Sequence, residues 1–374
     1  MTKRQATTEL EELFQEQTIQ NEISKMDASV ENERLPRLRS EARIRTNKRN
    51  NERGSAKHRK ISTKTLDDLP DEVLLKICAF LRIRNLVNCS GVSKRIRRVC
   101  HDESLWQKIN LYGKIVPSEF IELVLANGCK YLNLQDAQIN GTLSLPNDTY
   151  QVKYLNMSGL IANMESVQEL VLSCSFSIEK LSLSGLELDE KMLSAIFKNE
   201  NLTVLDVSKC SDGMIFSHEW RIEYFNQLLN CDKLTELNLC HIKFMGSSQW
   251  DLVRCLVNNL PPNLEKFGFN DLFDPEVKII VNRCKKLTKL DMFGACELTK
   301  ESITYIVENL PELVELDVSV STIRIDSIDF DSLVELKSLS NLKLLIIDGL
   351  GPDHLTKSLQ SQLSNTTINT EMTG

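Results

Sequence analysis

At 374 residues, with 41% hydrophobic and 26% charged residues and a formal net charge of −7, the chain has room for two or three domains and an ordinary soluble composition. No run approaches the roughly 20 apolar residues of a membrane span, and MTKRQATTELEELF lacks the apolar core of a secretory signal, so no membrane role is expected. The 11 cysteines, spread from Cys78 to Cys296, never pair as CxxC, which excludes a RING-type zinc module and leaves reduced, buried thiols as the expectation.

The charge is unevenly distributed. Residues 31–64 carry 12 Lys/Arg against 4 Asp/Glu, residues 1–30 carry 3 against 6, and the body from 65 onward therefore holds about −12. Residues 1–64 have few aromatics and no sustained period, and read as a disordered, basic leader. Within it Arg43, Arg45, Lys48 and Arg49 precede Lys57, Arg59 and Lys60, two basic clusters across a short spacer, as in a bipartite nuclear-import signal. The expected location is nucleus and cytoplasm. Such cations also attract nucleic acid through its phosphates, but no specific nucleic-acid site is expected.

The stretch LDDLPDEVLLKICAFL, residues 66–81, opens the next segment, 65–111. Pro70 followed by Asp71 and Glu72 marks a helix start. From Val73 to Leu81 only Lys76 interrupts the apolar residues, so the helix needs cover on nearly all sides. Either a local core covers it, or the chain leaves it for another chain to complete.

Beyond residue 128 the sequence repeats itself. Apolar residues recur around a Leu-x-apolar core whose leading positions are Leu132, Leu155, Leu181, Leu205, Leu237, Phe267, Leu290, Leu316 and Leu345, spaced 23 to 32 residues apart. A partial copy, Trp106-Ile109-Leu111, precedes them. Each core reads as a short strand. Between strands, SEFIELVLANG, DEKMLSAIFKN, QWDLVRCLVNNL, DPEVKIIVNRC and KESITYIVENL carry helical periodicity. One strand and one helix per unit make an α/β leucine-rich-repeat solenoid, strands concave and helices convex, over 112–365 in about nine to ten repeats, with a short tail at 366–374.

Catalysis is not expected. The five histidines have no ligand-like or triad-like spacing, there is no phosphate-cradling GxGxxG or P-loop, and Cys210 and Cys296 sit at or beside small closing positions of their repeats. The concave positions of the later repeats read instead as an acidic stripe with apolar anchors: Asp206, Glu236, Asp291, Phe293, Glu315, Asp317, Leu344, Ile346 and Asp348. Charges that steer and anchors that hold suit a protein target with a basic segment. A small anionic cofactor would need a basic floor, and no cofactor is expected.

Read on to Leu111, the opening segment resembles the F-box, a helical module of roughly 45 residues, through Leu69, Pro70, Glu72, Val73, Leu74, Ile77, Leu81, Leu86, Val92, Ser93, Lys94, Arg95, Asp102, Leu105 and Trp106. Ile96 stands where most F-boxes have a tryptophan. An F-box followed at once by leucine-rich repeats is similar to the substrate receptors of SCF ubiquitin ligases. That resemblance implies a non-catalytic subunit that binds a Skp adaptor, and through it the cullin/RING core, by Leu69, Pro70, Glu72, Leu74, Leu75, Ile77, Leu81, Val92, Lys94 and Arg95. It also implies a protein substrate, a role in cell-cycle control and a small cyclin-kinase-binding accessory protein. Leu105 and Trp106 are expected to fasten the F-box to the first repeat. The alternative is an interaction scaffold with no part in ubiquitylation. Combining Pro70→Ala with Leu74→Arg is expected to break adaptor binding and spare the solenoid.

Overall fold

The computed structural model describes residues 66–146, 150–212, 226–242, 249–270, 272–294, 298–319, 330–347 and 353–369. The chain divides into two units, Met1–Asp68 and Leu69–Gly374. The described part of the first is a 3-10 turn, Leu66–Asp68. The basic clusters from Arg43 to Lys60, together with Cys296 and Asp348, lie outside the described residues.

The second unit begins with three short helices, α1 Asp71–Cys78, α2 Ile83–Ser90 and α3 Lys94–Cys100. Pro70, with φ −58°, sets the entry to α1, and Asp71 and Glu72 lie against its positive end. Ser93 caps α3, its hydroxyl accepting from the Ile96 N–H at 3.2 Å.

Eleven strands then pair in parallel, in chain order, into one sheet. They are β1 Lys108–Asn110, β2 Tyr131–Asn133, β3 Tyr154–Asn156, β4 Lys180–Ser182, β5 Val204–Asp206, β6 Glu236–Asn238, β7 Lys266–Gly268, β8 Lys289–Asp291, β9 Glu315–Asp317, β10 Leu344–Ile346 and β11 Thr367–Asn369. The register never slips: Ile109 lies beside Leu132, Leu132 beside Leu155, and so on to Leu345 beside Ile368. Alternation within each three-residue strand turns the middle side chain inward and the outer two toward the opposite face. Helices Ser118–Ala126, Met164–Cys174, Glu190–Phe197, Gln249–Asn258, Asp274–Arg283 and Lys300–Asn309 return the chain between strands. Five of these six are the segments that helical periodicity marks in the sequence. This is the α/β leucine-rich-repeat solenoid.

After β1–β6 and β8 the chain turns through a left-handed residue at the same repeat position, Gly159, Gly185 and Gly294 among them, with Asp136, Lys209 and His241 occupying it without glycine. At Gly159 an added side chain would also meet the Asp136 carboxylate, which would have to move aside.

Two boundaries differ from the sequence reading. β1 lies inside the segment assigned to the F-box and linker, and β11 lies inside the nine residues assigned to a tail. Ile368 lacks the second apolar residue two positions on that marks the other strands, Thr370 standing there in the sequence, and only its pairing with β10 reveals the strand.

One hydrophobic core runs from Leu74, Cys78, Leu86, Val99 and Cys100 of the helices through Trp106 into Ile109 and every later repeat. Trp106 joins the parts. It is 1% exposed, and its indole N–H donates to the Cys100 carbonyl at 2.7 Å. Of the described cysteines, Cys89 and Cys255 are half-buried and the rest are buried. Burial pushes the thiols of Cys129, Cys174, Cys210 and Cys284 up to about 12, which leaves them as packing groups rather than nucleophiles.

Candidate functional sites

Two surfaces follow from this architecture, one on the helical module and one on the strand-lined face. On α1, Leu74 and Cys78 are four residues apart and point into the core. Val73, Ile77 and Phe80, spaced by four and then three, make the neighbouring stripe, and all three are exposed. Phe80 is 90% exposed, and Val92, between α2 and α3, is 74% exposed. So many bare apolar side chains on so small a module mark a contact surface. Pro70, Glu72 and Lys94 are exposed as well, while Leu69, Leu75 and Leu81 are half-buried against the core.

Two residues expected at the adaptor surface are placed differently. Leu74 is 3% exposed, because the inward side of a helix this short is needed for the chain's own core. Leu74→Arg would therefore bury a charge and unfold the module, which removes its value as a test of binding. Arg95 is half-buried and engaged within the module: its Nε donates to Asp71 Oδ1 at 2.8 Å, and its Nη2 donates to the Leu69 carbonyl. Arg98 donates to the other Asp71 oxygen. The two guanidiniums hold the Asp71 carboxyl below its ordinary range, Arg95 contributing most. This clamp fixes the start of α1 on α3. Sequence reasoning missed it, and missed Phe80 as part of the exposed apolar stripe, although the i, i+4, i+7 spacing from Val73 was there to be read.

On the strand face two rows of side chains run across the sheet, the first and third residues of each strand. The third row carries a structural duty. Asn110, Asn133, Asn156, Asp206, Asn238, Asp291 and Asp317 each accept, through Oδ1, from the N–H two residues on, at 2.8–3.1 Å. These turns end the strands, and either Asn or Asp makes them. Gly268 breaks the row because the Cys240 thiol fills its space: an added Cβ would lie 2.8 Å from Sγ. The Asp317 carboxyl is raised above its ordinary value, chiefly by burial.

The stripe is less acidic than the sequence suggested. In the first row Glu236 pairs with Lys266 at 3.1 Å, and Glu315 with Lys289 at 3.0 Å. The lysines come from the adjacent strand, 26 to 30 residues away in the chain. The unbalanced carboxylates are those of the third row, Asp206, Asp291 and Asp317. Among the expected anchors, Phe293 and Leu344 are half-buried, and the Phe293 ring meets His241 at 4.7 Å between centroids. Ile346 is 8% exposed and therefore not an open anchor.

Toward β1 the same face changes character. Tyr131 stacks on Tyr154 at 6.5 Å, and the Lys108 ammonium sits 5.3 Å from the Tyr131 ring centroid. Ser182 donates to Asp206 Oδ2 at 3.1 Å and shares a hydrogen bond with Ser158 at 2.7 Å. No group of three or more metal-ligating side chains forms among the described residues.

Two family models match the chain: an F-box-like module over residues 66–112, and the SKP2 LRR domain over residues 119–373. Among solved structures, the chain is similar to the Rad7 and Elc1 complex in yeast, at 15% identity over 80% of this chain and 81% of that chain, with a TM-score of 0.41. The repeat-domain match alone takes in more than half of the sequence, and the chain belongs to the F-box/leucine-rich-repeat family with an SKP2-type repeat domain.

Proposed function

We propose that the chain is the substrate-recognition subunit of an SCF ubiquitin ligase. Its F-box holds a Skp adaptor, and through it the cullin/RING core. Its strand face holds a protein target with a basic segment, which is ubiquitylated and degraded. In this reading the chain catalyses nothing. It raises the concentration of target lysines near the ubiquitin-loaded enzyme. Action in the nucleus and cytoplasm, in cell-cycle control, and with a small cyclin-kinase-binding accessory protein belongs to the same proposal.

The observation that carries it is the exposed set Val73, Ile77, Phe80 and Val92 on a module that shares its core with the solenoid. Apolar surface left bare on one side of a rigidly attached module suits a partner that must hold the whole receptor in place. The test is co-purification with a Skp adaptor. Ile77→Glu with Phe80→Glu removes two exposed contacts, changes folding stability by about 0.5 kcal/mol or less per site, and abolishes the complex. Retained binding in that variant overturns the assignment. Deleting residues 66–106 is a poorer test, because it removes Trp106 from the shared core.

A further inference from the structure

The charges of the two strand-face rows are sorted along the sheet. Over β1–β4 the first row reads Lys108, Tyr131, Tyr154, Lys180, and the third Asn110, Asn133, Asn156, Ser182. That is two cations, two aromatic rings and no carboxylate. Over β5–β9 the first row reads Val204, Glu236, Lys266, Lys289, Glu315, and the third Asp206, Asn238, Gly268, Asp291, Asp317. There both lysines are consumed by Glu236 and Glu315, which leaves three aspartates. The rim ahead of the first strands does not disturb the pattern, because Lys130 pairs with Glu103 at 3.1 Å and Lys153 with Glu179 at 2.7 Å.

The face is thus positive and aromatic at one end and negative at the other. We infer that its target is a bipolar polypeptide segment, with acidic side chains over Lys108, Tyr131, Tyr154 and Lys180 and basic side chains over Asp291 and Asp317. This rests on the receptor reading and refines it, since a purely basic segment would be repelled by the first four strands. Strands stand about 4.8 Å apart, so the centre of the positive end, between β2 and β3, lies about 29 Å from the pair β8 and β9. An extended chain covers that in about nine residues, which sets the spacing between the centres of the two blocks.

Neutralising substitutions can be made without dismantling the face. Asn already ends four of these strands by the same backbone turn, so Asp291→Asn and Asp317→Asn keep the cap and drop the charge. Lys108→Gln and Lys180→Gln remove the charge at the other end, where the lysines cap no turn. The probe is a fluorescein-labelled peptide with four glutamates, a five-residue Gly/Ser spacer and four lysines, which puts the block centres nine residues apart, titrated by anisotropy into the full chain. The control has the same composition with the charges alternated. The block peptide is expected to bind at least about fivefold tighter than the control, and each double variant to erase that advantage. A benzophenone at the glutamate end is expected to label β1–β4, and one at the lysine end β8–β9. Equal binding of the two peptides, insensitivity to the variants, or reversed labelling overturns the inference. Adaptor co-purification from the same preparations reports on the receptor reading separately: a chain that holds the adaptor and ignores the block peptide defeats the bipolar face alone.

Discussion

Trp106→Ala tests whether the F-box and the solenoid are one body. The indole is almost wholly enclosed, and it links the end of α3, through the Cys100 carbonyl, to the first strand. Truncating a buried tryptophan costs about 3–5 kcal/mol, a range that includes the cavity left behind. If the loss fell on the whole unit of about 300 residues, at about 2.1 cal/mol/K per residue, a 4 kcal/mol change would lower the melting temperature by about 6 °C. A contiguous core held at one joint predicts a more local outcome. The helical module is too small to stand well alone, so it should open while the repeats persist. Amide exchange followed by mass spectrometry separates the cases. Protection over 71–100 is expected to fall by about three orders of magnitude, with β5–β9 close to wild type, since each 1.4 kcal/mol is tenfold. Equal losses in both regions, or a change under about 1 kcal/mol at α1–α3, would refute the joint.

Two further predictions concern titration. Asp71 has a carboxyl lowered by Arg95 and Arg98, so it contributes stability above its unfolded value of about 3.9, lost as pH falls through the lower folded value. Asp71→Asn should therefore loosen α1 at pH 5–7, and its difference from wild type, read by amide exchange, should shrink as the solution is acidified below about pH 3.9; a pH-independent difference contradicts the clamp. Asp317 has the opposite sign: its raised value means the folded state loses stability as pH climbs above about 3.9. Asp317→Asn keeps the acceptor for the Ser319 N–H, so its urea midpoint should exceed wild type at pH 7 and converge with it near pH 4. A lower midpoint at pH 7 would show that the carboxylate is there for stability. A gain in stability with a loss of target binding is what a residue kept for recognition shows.

The repeats were legible because each strand must bury its middle side chain against the next, and that forces an apolar residue, usually Leu, at a fixed place in every unit. β11 was not legible, since a terminal strand with one flank covered tolerates threonine and asparagine beside Ile368. The helical module was found, and its face only partly. Periodicity places Leu74 and Ile77 side by side, about 60° apart on one apolar helix face, but which edge of that face meets the chain's own core depends on α3, and that is tertiary information. The strand face misled for a different reason. Glu236 and Glu315 read as bare carboxylates because their lysine partners sit one repeat away, and Asp291 and Asp317 read as purely functional because the backbone turn they complete is invisible in the sequence.

The most direct measurement is of the complex itself. The full chain, mixed with a Skp adaptor and passed over a sizing column, should elute as a stoichiometric pair. Ile77→Glu with Phe80→Glu should elute free of adaptor, with amide protection across β2–β9 unchanged. A wild-type chain that does not hold the adaptor, or a variant that holds it as well as wild type does, contradicts the account.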